Sequence, residues 1–484
     1  MLLVCSIALG QYTLKTDSVY ISGKVANFEK HKDSANSVNV IIDDIAFGQQ
    51  LTHRGKINNN GTYKLSFLKT GSQDIMLLYG DDIAGIIVNP GDHLQIDFDA
   101  DNFTKTLVFK GNNAQTNKDL VTYNAIMEKQ NQAWYGDDGY GRFRILSASQ
   151  KDAQPDEHKK FLADRYAKES LYLEQYIKQH KLSPTFVTWI RADLKYDYLE
   201  NLMRYTWMHP MYNKMRAADF KLPNNYYDFV KTQDISNASM AISTHFGNYV
   251  REYKSYFATK TLGSSWPIGA DYELYFKQPA GIAKDLMLCN TFYSSITAKH
   301  LDVLRPYMDK FKANVTNPAF KKAVVDQYNA AESQLKSYTL PASAQIKETP
   351  KTEADSLFNK IIAQYPNKVV YIDFWATWCG PCRAEMPNSK ILRNQFANKD
   401  VVFLYLGVQS EEKTWKAMIA ELDIKGEHLL LNKNEFSAIA EKFQISGIPR
   451  YVLVDKNGRV IDGNAKRPGN KELKLEIEKL LARK

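Results

Sequence analysis

Apolar and polar positions alternate with period two over residues 17–112, the signature of strands with one buried face. The strongest runs are residues 19–25, 38–42, 63–67, 75–79, 86–88, 94–98 and 107–109. Turn-forming stretches separate them, among them Asn58-Asn-Asn-Gly61, Gly80-Asp-Asp82 and Asn89-Pro-Gly-Asp92. Short strands at that spacing predict a β-sandwich. Over residues 115–336 the period becomes helical. Ser183 and Pro184 supply a cap and a first-turn proline, after which Phe186, Ile190, Leu194, Tyr198 and Leu202 recur every four residues on one face. Further helical patterns around 156–180, 226–231, 242–260, 272–296 and 318–335 make this block an all-α domain, its many tyrosines and tryptophans reading mainly as core. Residues 337–352, with Pro341 and Pro350 and no sustained period, read as a linker.

The last block, residues 353–484, alternates the two periods. It reads as a helix over 353–364, a strand over 369–375, a helix from Cys379, a strand over 401–406, and helices over 410–422 and 435–443. A strand over 451–454, an Asn457-Gly458 turn, a strand over 459–461 and a helix with Leu473, Ile477, Leu480 and Leu481 on one face follow. Strands joined by helices and then a hairpin predict an α/β sheet covered on both faces. The fold class is therefore multidomain: an N-terminal β-sandwich, an all-α middle and a C-terminal α/β domain.

Bulk properties agree with several cores. At 484 residues the chain exceeds one core, and roughly 150 residues per domain suggests about three. With 44% hydrophobic and 24% charged residues it has a globular composition, and no apolar run approaches the ~18 residues a membrane-spanning helix needs. The net charge of +9 is spread along the chain with Lys and Glu interleaved, which gives no reason to expect a nucleic-acid partner. A peripheral association with a membrane surface stays compatible with it. Residues 1–10 read as the end of a secretory signal, an apolar stretch closing on Ala8-Leu9-Gly10. No Lys or Arg precedes Lys15, so an ordinary strand is the competing reading. Export would place the protein in the periplasm or cell envelope. A lipoprotein site at Cys5 fits less well, because Val4 is larger than the small residue such a site wants.

Four cysteines are too few and too scattered for a disulfide-stapled scaffold. Cys289, inside an apolar stretch, reads as a buried core thiol. Cys379 and Cys382 differ, because an apolar strand runs directly into them and they open a helix. A helix start leaves N–H groups unpaired and carries partial positive charge, so a cysteine there is stabilised as the thiolate. Cys379 is the expected nucleophile. Cys382 lies one turn deeper, close enough to close a disulfide, and is the expected resolving thiol. The pair could alternatively be half of a zinc site, but no second Cys or His pair in this block has ligand spacing, and no metal is expected. The run Asp97-Phe-Asp-Ala-Asp-Asn102 copies the opening of a calcium loop, yet Asn102 stands where glycine is required and Val108 where a bidentate glutamate is, so it reads as a polar turn.

These residues resemble the thioredoxin superfamily. Asp373 stands six residues before Cys379, as the family's buried acid does, Pro387 takes the place of its kinking proline, and Gly447-Ile448-Pro449 precedes a strand where the family has a cis-proline. The run Trp-Cys-Gly-Pro-Cys-Arg-Ala-Glu-Met-Pro is similar to the TlpA-like group of exported thiol-disulfide oxidoreductases. The Asn89-Pro-Gly-Asp92 and Phe109-Lys-Gly111 stretches resemble β modules fused ahead of such domains. The Ala-Pro-x-Phe strand that usually opens them is absent, so this chain is expected to enter through a helix.

The resemblance implies a protein-disulfide reductase that needs no cofactor. Cys379 and Cys382 would exchange electrons with the substrate disulfide, with Asp373 and Glu385 as candidate proton acceptors. Burial would raise the Asp373 pKa and let it exchange protons with the resolving thiol. Glu385 reads equally as a solvated partner of Arg383 or Lys390. Trp378, Gly380, Pro381, Ile448 and Pro449 would form the substrate surface, and Arg450 hints at charge selection. The Gly380-Pro381 dipeptide of reducing thioredoxins favours reduction, which in an oxidising compartment calls for an upstream membrane thiol reductant. The competing class is a binding or scaffold protein of the cell envelope with a low-turnover thioredoxin domain. A peroxidase reading lacks the Pro-x-x-x-Thr-x-x-Cys arrangement.

Overall fold

In the computed structural model, which describes residues 14–136, 141–216, 219–263, 266–267 and 269–482, the period-two segments become eight strands. They are β1 (Thr16–Ala26), β2 (Ser37–Asp44), β3 (Gln49–Lys56), β4 (Thr62–Thr70), β5 (Gln73–Tyr79), β6 (Asp82–Val88), β7 (His93–Asp99) and β8 (Val108–Gly111). Two four-stranded sheets result, ordered β4-β1-β7-β8 and β3-β2-β5-β6. Their inward side chains, among them Val19, Ile21, Val40, Leu77, Ile86 and Ile96, form one core, as in a sandwich. The calcium-like run is used locally: Asp97 accepts from the Lys24 N–H and Asp99 from Asn27. Residues 1–10, with Cys5, lie outside the described residues.

The helical middle comprises α1 (Ala114–Tyr135), α2 (Gly141–Asp152), α3 (Pro155–Gln179), α4 (Pro184–Tyr212), α5 (Thr244–Leu262), α6 (Tyr272–Phe276), α7 (Ile282–Thr297), α8 (Leu301–Leu304), α9 (Met308–Asn314) and α10 (Pro318–Ser337). Ser183 caps α4 by accepting from the Phe186 N–H, and Phe186, Ile190, Leu194 and Leu202 are buried on it. One helix over 272–296 was the expectation; the chain instead breaks between α6 and α7, where Pro279 has no N–H to continue a helix and Gly281 takes a positive φ of 148°. Tyr196, Tyr205, Tyr226 and Tyr249 are fully buried, and so is Cys289, whose thiol is pushed well up by burial.

The chain divides into two compact units: Met1–Phe292 with Tyr307–Val324, and Tyr293–Pro306 with Val325–Lys484. The second contains β9 (Ala344–Ile346), α11 (Ala354–Ile362), β10 (Val369–Trp375), α12 (Gly380–Gln395), β11 (Val401–Val408), α13 (Glu412–Glu421), β12 (Gly426–Leu431), α14 (Lys433–Phe443), β13 (Arg450–Val454), β14 (Val460–Asp462) and α15 (Lys471–Ala482). The six strands lie in the order β14-β13-β10-β11-β12-β9. β10, β11, β12 and β9 run parallel, and the β13–β14 hairpin is the antiparallel edge. All seven residues of β10 are buried, as a strand covered on both faces requires. Residues 337–352, expected as a linker, contain β9, which pairs with β12 through Ala344, Gln345 and Ile346. The domain thus opens on a strand rather than a helix.

Candidate active site

β10 delivers the chain to the end of the sheet, and the turn that follows places Cys379 as the N-cap of α12. The Cys382 N–H donates to Cys379 Sγ at 3.1 Å, so the sulfur sits against the positive end of the helix. The two cysteines form a disulfide, with their Cα atoms 5.3 Å apart. Cys382 is fully buried and Cys379 is 3% exposed, whereas Gly380 and Pro381 on the first turn are open to solvent. Trp378 stands beside them, 38% exposed, its ring fixed by Nε1 donating to the Gln409 carbonyl at 3.1 Å. Buried Thr377 is tied to the same loop, its N–H donating to Ser410 Oγ at 3.1 Å.

Behind the cysteines lies a layer of titratable side chains on one face of the sheet. Asp373 on β10 is directly opposite Tyr405 on β11 and Tyr451 on β13. It is buried, and among the described residues neither carboxylate oxygen has a hydrogen-bond partner. Burial pushes its pKa well above the usual carboxylate range, the Glu385 charge adds to that, and the Arg393 guanidinium opposes it. Glu385, on α12, is half-buried and accepts from Asn388 Nδ2 at 3.1 Å. The two cations that sequence offered as its partners are engaged elsewhere: Arg383 donates to the Thr297 carbonyl at 2.7 Å and Lys390 pairs with Asp423 at 2.8 Å.

The tyrosines of this layer were not anticipated from sequence. Tyr371 donates to the Lys466 carbonyl at 2.7 Å and stacks on Tyr451, ring centroids 5.5 Å apart. The Tyr405 hydroxyl meets Ser389 Oγ at 2.6 Å and accepts from Arg393 Nη1 at 2.5 Å. Its ring stacks on His428. His428 is fully buried, with Nε2 3.0 Å from the Ile424 carbonyl; a carbonyl can only accept, so Nε2 carries the proton. Burial pushes the His428 pKa down to about 4. The one sequence signal that points here is the period-two run of tyrosine and acid on β10, Tyr371 and Asp373, in an otherwise apolar strand.

The Ile448–Pro449 peptide bond is cis, as the resemblance implies, and both residues are half-buried at the start of β13. Arg450, read as a hint of charge selection, is held by two carbonyls: its Nε donates to Gly463 at 2.9 Å and its Nη2 to Phe443 at 2.8 Å. These bonds fix the guanidinium against the turn around Pro449.

Residues 367–460 match the family model described as thioredoxin-like. The thiol-disulfide oxidoreductase ResA of Bacillus cereus is 29% identical over 118 residues, covering 24% of this chain and 66% of the relative. The thioredoxin-like protein YneN of Bacillus subtilis is 27% identical over 113 residues, covering 23% of this chain and 64% of the relative. The crystal structure of the thioredoxin domain of a thiol-disulfide oxidoreductase from Bacteroides vulgatus is 28% identical, covers 25% of this chain and 83% of that one, and superposes with a TM-score of 0.23. The chain spans just under two thirds of the length of these curated relatives, and each match covers about a quarter of the chain itself.

Proposed function

We propose that the C-terminal block, a thioredoxin-like domain whose relatives are thiol-disulfide oxidoreductases, reduces protein disulfides in the cell envelope through Cys379 and Cys382. The observation that carries the reading is the placement of Cys379 Sγ at the N-terminus of α12 with the Cys382 N–H directed at it. That environment favours the thiolate over the thiol. The Cys379 thiolate attacks one sulfur of a substrate disulfide, and the other substrate sulfur leaves as a thiol after taking up a proton. Once Asp373 is itself ionised, above its raised pKa, Cys382 loses its proton to that carboxylate and attacks Cys379 Sγ. The Cys379–Cys382 bond forms, the mixed disulfide breaks, and the second substrate sulfur leaves. The substrate has gained two electrons from the two cysteines and two protons, one matching the proton that Cys382 gives up and the other drawn from water, because Cys379 starts as a thiolate.

Trp378, Gly380, Pro381, Ile448 and Pro449 would bound the surface on which an extended substrate segment lies. Each turnover ends in the oxidised pair, so an external dithiol must restore it. Export, proposed from residues 1–10, makes a membrane thiol reductant the suitable donor. No helix among the described residues is long and apolar enough to cross a membrane. The test is to mix the pre-reduced full chain with insulin, alkylate, separate the two proteins and count the thiols on each. One insulin disulfide consumed per chain, with the Cys379–Cys382 disulfide appearing in step, supports the reading. No consumption above the free-cysteine background favours the binding-protein alternative.

A further inference from the structure

A cavity of about 270 Å³ lies within the first compact unit, between the sheet β3-β2-β5-β6 and helices α1, α4 and α5. We propose that it is a second binding site, which takes a small zwitterion with an apolar body, the chemistry of a free apolar α-amino acid. The inference involves neither active-site cysteine and goes beyond the disulfide exchange proposed above.

Strand register sets the floor. Ile41, Met76 and Gly85 stand in one row across β2, β5 and β6, Ile41 paired with Met76 and Met76 with Gly85, while their neighbours Val40, Leu77 and Ile86 face the sandwich core. Gly85 lies inside β6 in regular register and without a positive φ, so its backbone does not ask for glycine. A Cβ built on it would meet no atom within 4 Å. Glycine inside a strand weakens it and marks places where a ligand or another backbone comes close; here no part of the protein does. Leu120 of α1 and Trp189 of α4 add apolar walls.

Two opposite charges line the same cavity, and each is held by one edge. Asp74 accepts from the Thr244 N–H at 2.7 Å and the Thr244 hydroxyl at 3.1 Å, both on Oδ1. His245, on the first turn of α5, meets Glu200 at 2.6 Å through Nδ1. Among the described residues, Oδ2 of Asp74 and Nε2 of His245 have no hydrogen-bond partner, and the two side chains form no ion pair with each other. Asp43, the other acid lining the cavity, accepts from Gln50. Burial opposes charge on His245, but Asp193, Glu200 and Asp197 outweigh it and hold its pKa up at about 10, so at neutral pH Nε2 carries a proton and donates. Burial pushes Asp74 up against the Thr244 bonds and the nearby His245 charge, and a ligand ammonium would supply the cation that this carboxylate lacks. Trp189 is 7% exposed, and its Nε1–H is buried without a partner among the described residues, a cost that an acceptor on a ligand removes. A carboxylate acceptor and two N–H donors over an apolar floor match an ammonium, a carboxylate and an apolar side chain. A ligand of one charge would leave the opposite group unanswered.

Isothermal titration of the full chain tests it with three probes: L-leucine, isocaproate, which lacks the ammonium, and isoamylamine, which lacks the carboxylate. Leucine should bind with a Kd in the micromolar to millimolar range, and each half should bind at least about tenfold more weakly, the worth of one charged hydrogen bond. Gly85→Leu puts a side chain into the open space above the floor, so it should abolish leucine binding while the melting temperature stays at or above that of the parent chain. Asp74→Asn decides independently, because it should weaken leucine at least about tenfold and leave isocaproate unchanged. No heat from leucine at millimolar concentration, equal affinity for leucine and either half, or parent-like leucine binding by Gly85→Leu or Asp74→Asn would overturn the proposal. Insulin reduction by the parent chain reports on the cysteines alone, so the two readings stand or fall separately.

Discussion

Arg383, the residue after Cys382, donates through its guanidinium to the backbone carbonyl of Thr297 at 2.7 Å. Thr297 closes α7, in a segment, residues 293–306, that belongs to the same compact unit as the sheet. Two residues on, Lys299 adopts a left-handed backbone with φ 62°. Its buried ammonium pairs with Glu421 at 2.9 Å and donates to Gln334 at 2.7 Å, while its carbonyl accepts from Thr414. The helix that starts at the cysteines is therefore braced by Thr297, and α13 by Lys299, both well outside the stretch that matches thioredoxins.

Removing that brace should be felt as stability. Arg383→Ala in the full chain is expected to cost on the order of 1 kcal/mol, since a charged donor to a carbonyl is lost at a half-buried site. Thermal unfolding monitored on the C-terminal unit reads it. An unchanged melting temperature would mean that the contact contributes nothing.

Asp373 should make this unit less stable as pH rises. Its folded pKa lies well above the unfolded value of 3.8, so between the two the folded chain holds a proton that the unfolded chain has released. Stability then falls with increasing pH, by up to about 1.4 kcal/mol per pH unit. Asp373→Asn should flatten that slope in urea titrations run upward from about pH 5. A slope equal to that of the parent chain would refute the assignment.

His428 acts with the opposite sign. Its folded pKa of about 4 lies below the ordinary 6.5, so in that window the unfolded chain binds a proton that the folded chain refuses. Stability is complete above the upper value and is lost as pH falls toward the lower one, by about 3 kcal/mol in all. His428→Leu should remove this acid limb from the same titrations.

Arg450→Ala is expected to destabilise without altering substrate choice. Two hydrogen bonds from one cation are lost, worth roughly 1–3 kcal/mol together. The ratio of reduction rates for acidic and basic peptide disulfides should stay the same. A changed ratio would restore the charge-selection reading.

The cysteine motif was legible because its chemistry lies in contiguous residues: strand, cap position and first turn are written in order around Cys379. Elements with weak local patterns were not. β3 lies at a sheet edge and carries Gln49, Thr52, His53 and Arg54, so an apolar alternation never develops. β12 begins at a glycine and ends in three leucines, a run too short to separate strand from helix, and three-residue β9 is defined by its partner β12 rather than by its own sequence. The same limit hid Tyr405 and Tyr451. Each is an ordinary strand tyrosine until sheet register sets it opposite Asp373, and register between distant strands has no local signal. The two carbonyl acceptors of Arg450 were hidden for the same reason, being fixed by tertiary structure.

The central claim is that Cys379 attacks and Cys382 resolves. The direct measurement is covalent capture of a disulfide-bearing protein by single cysteine variants of the full chain, read on non-reducing gels. Cys382→Ser should accumulate a mixed disulfide that disappears on reduction, and Cys379→Ser should accumulate none. Equal capture by both variants, or by neither, would contradict the account.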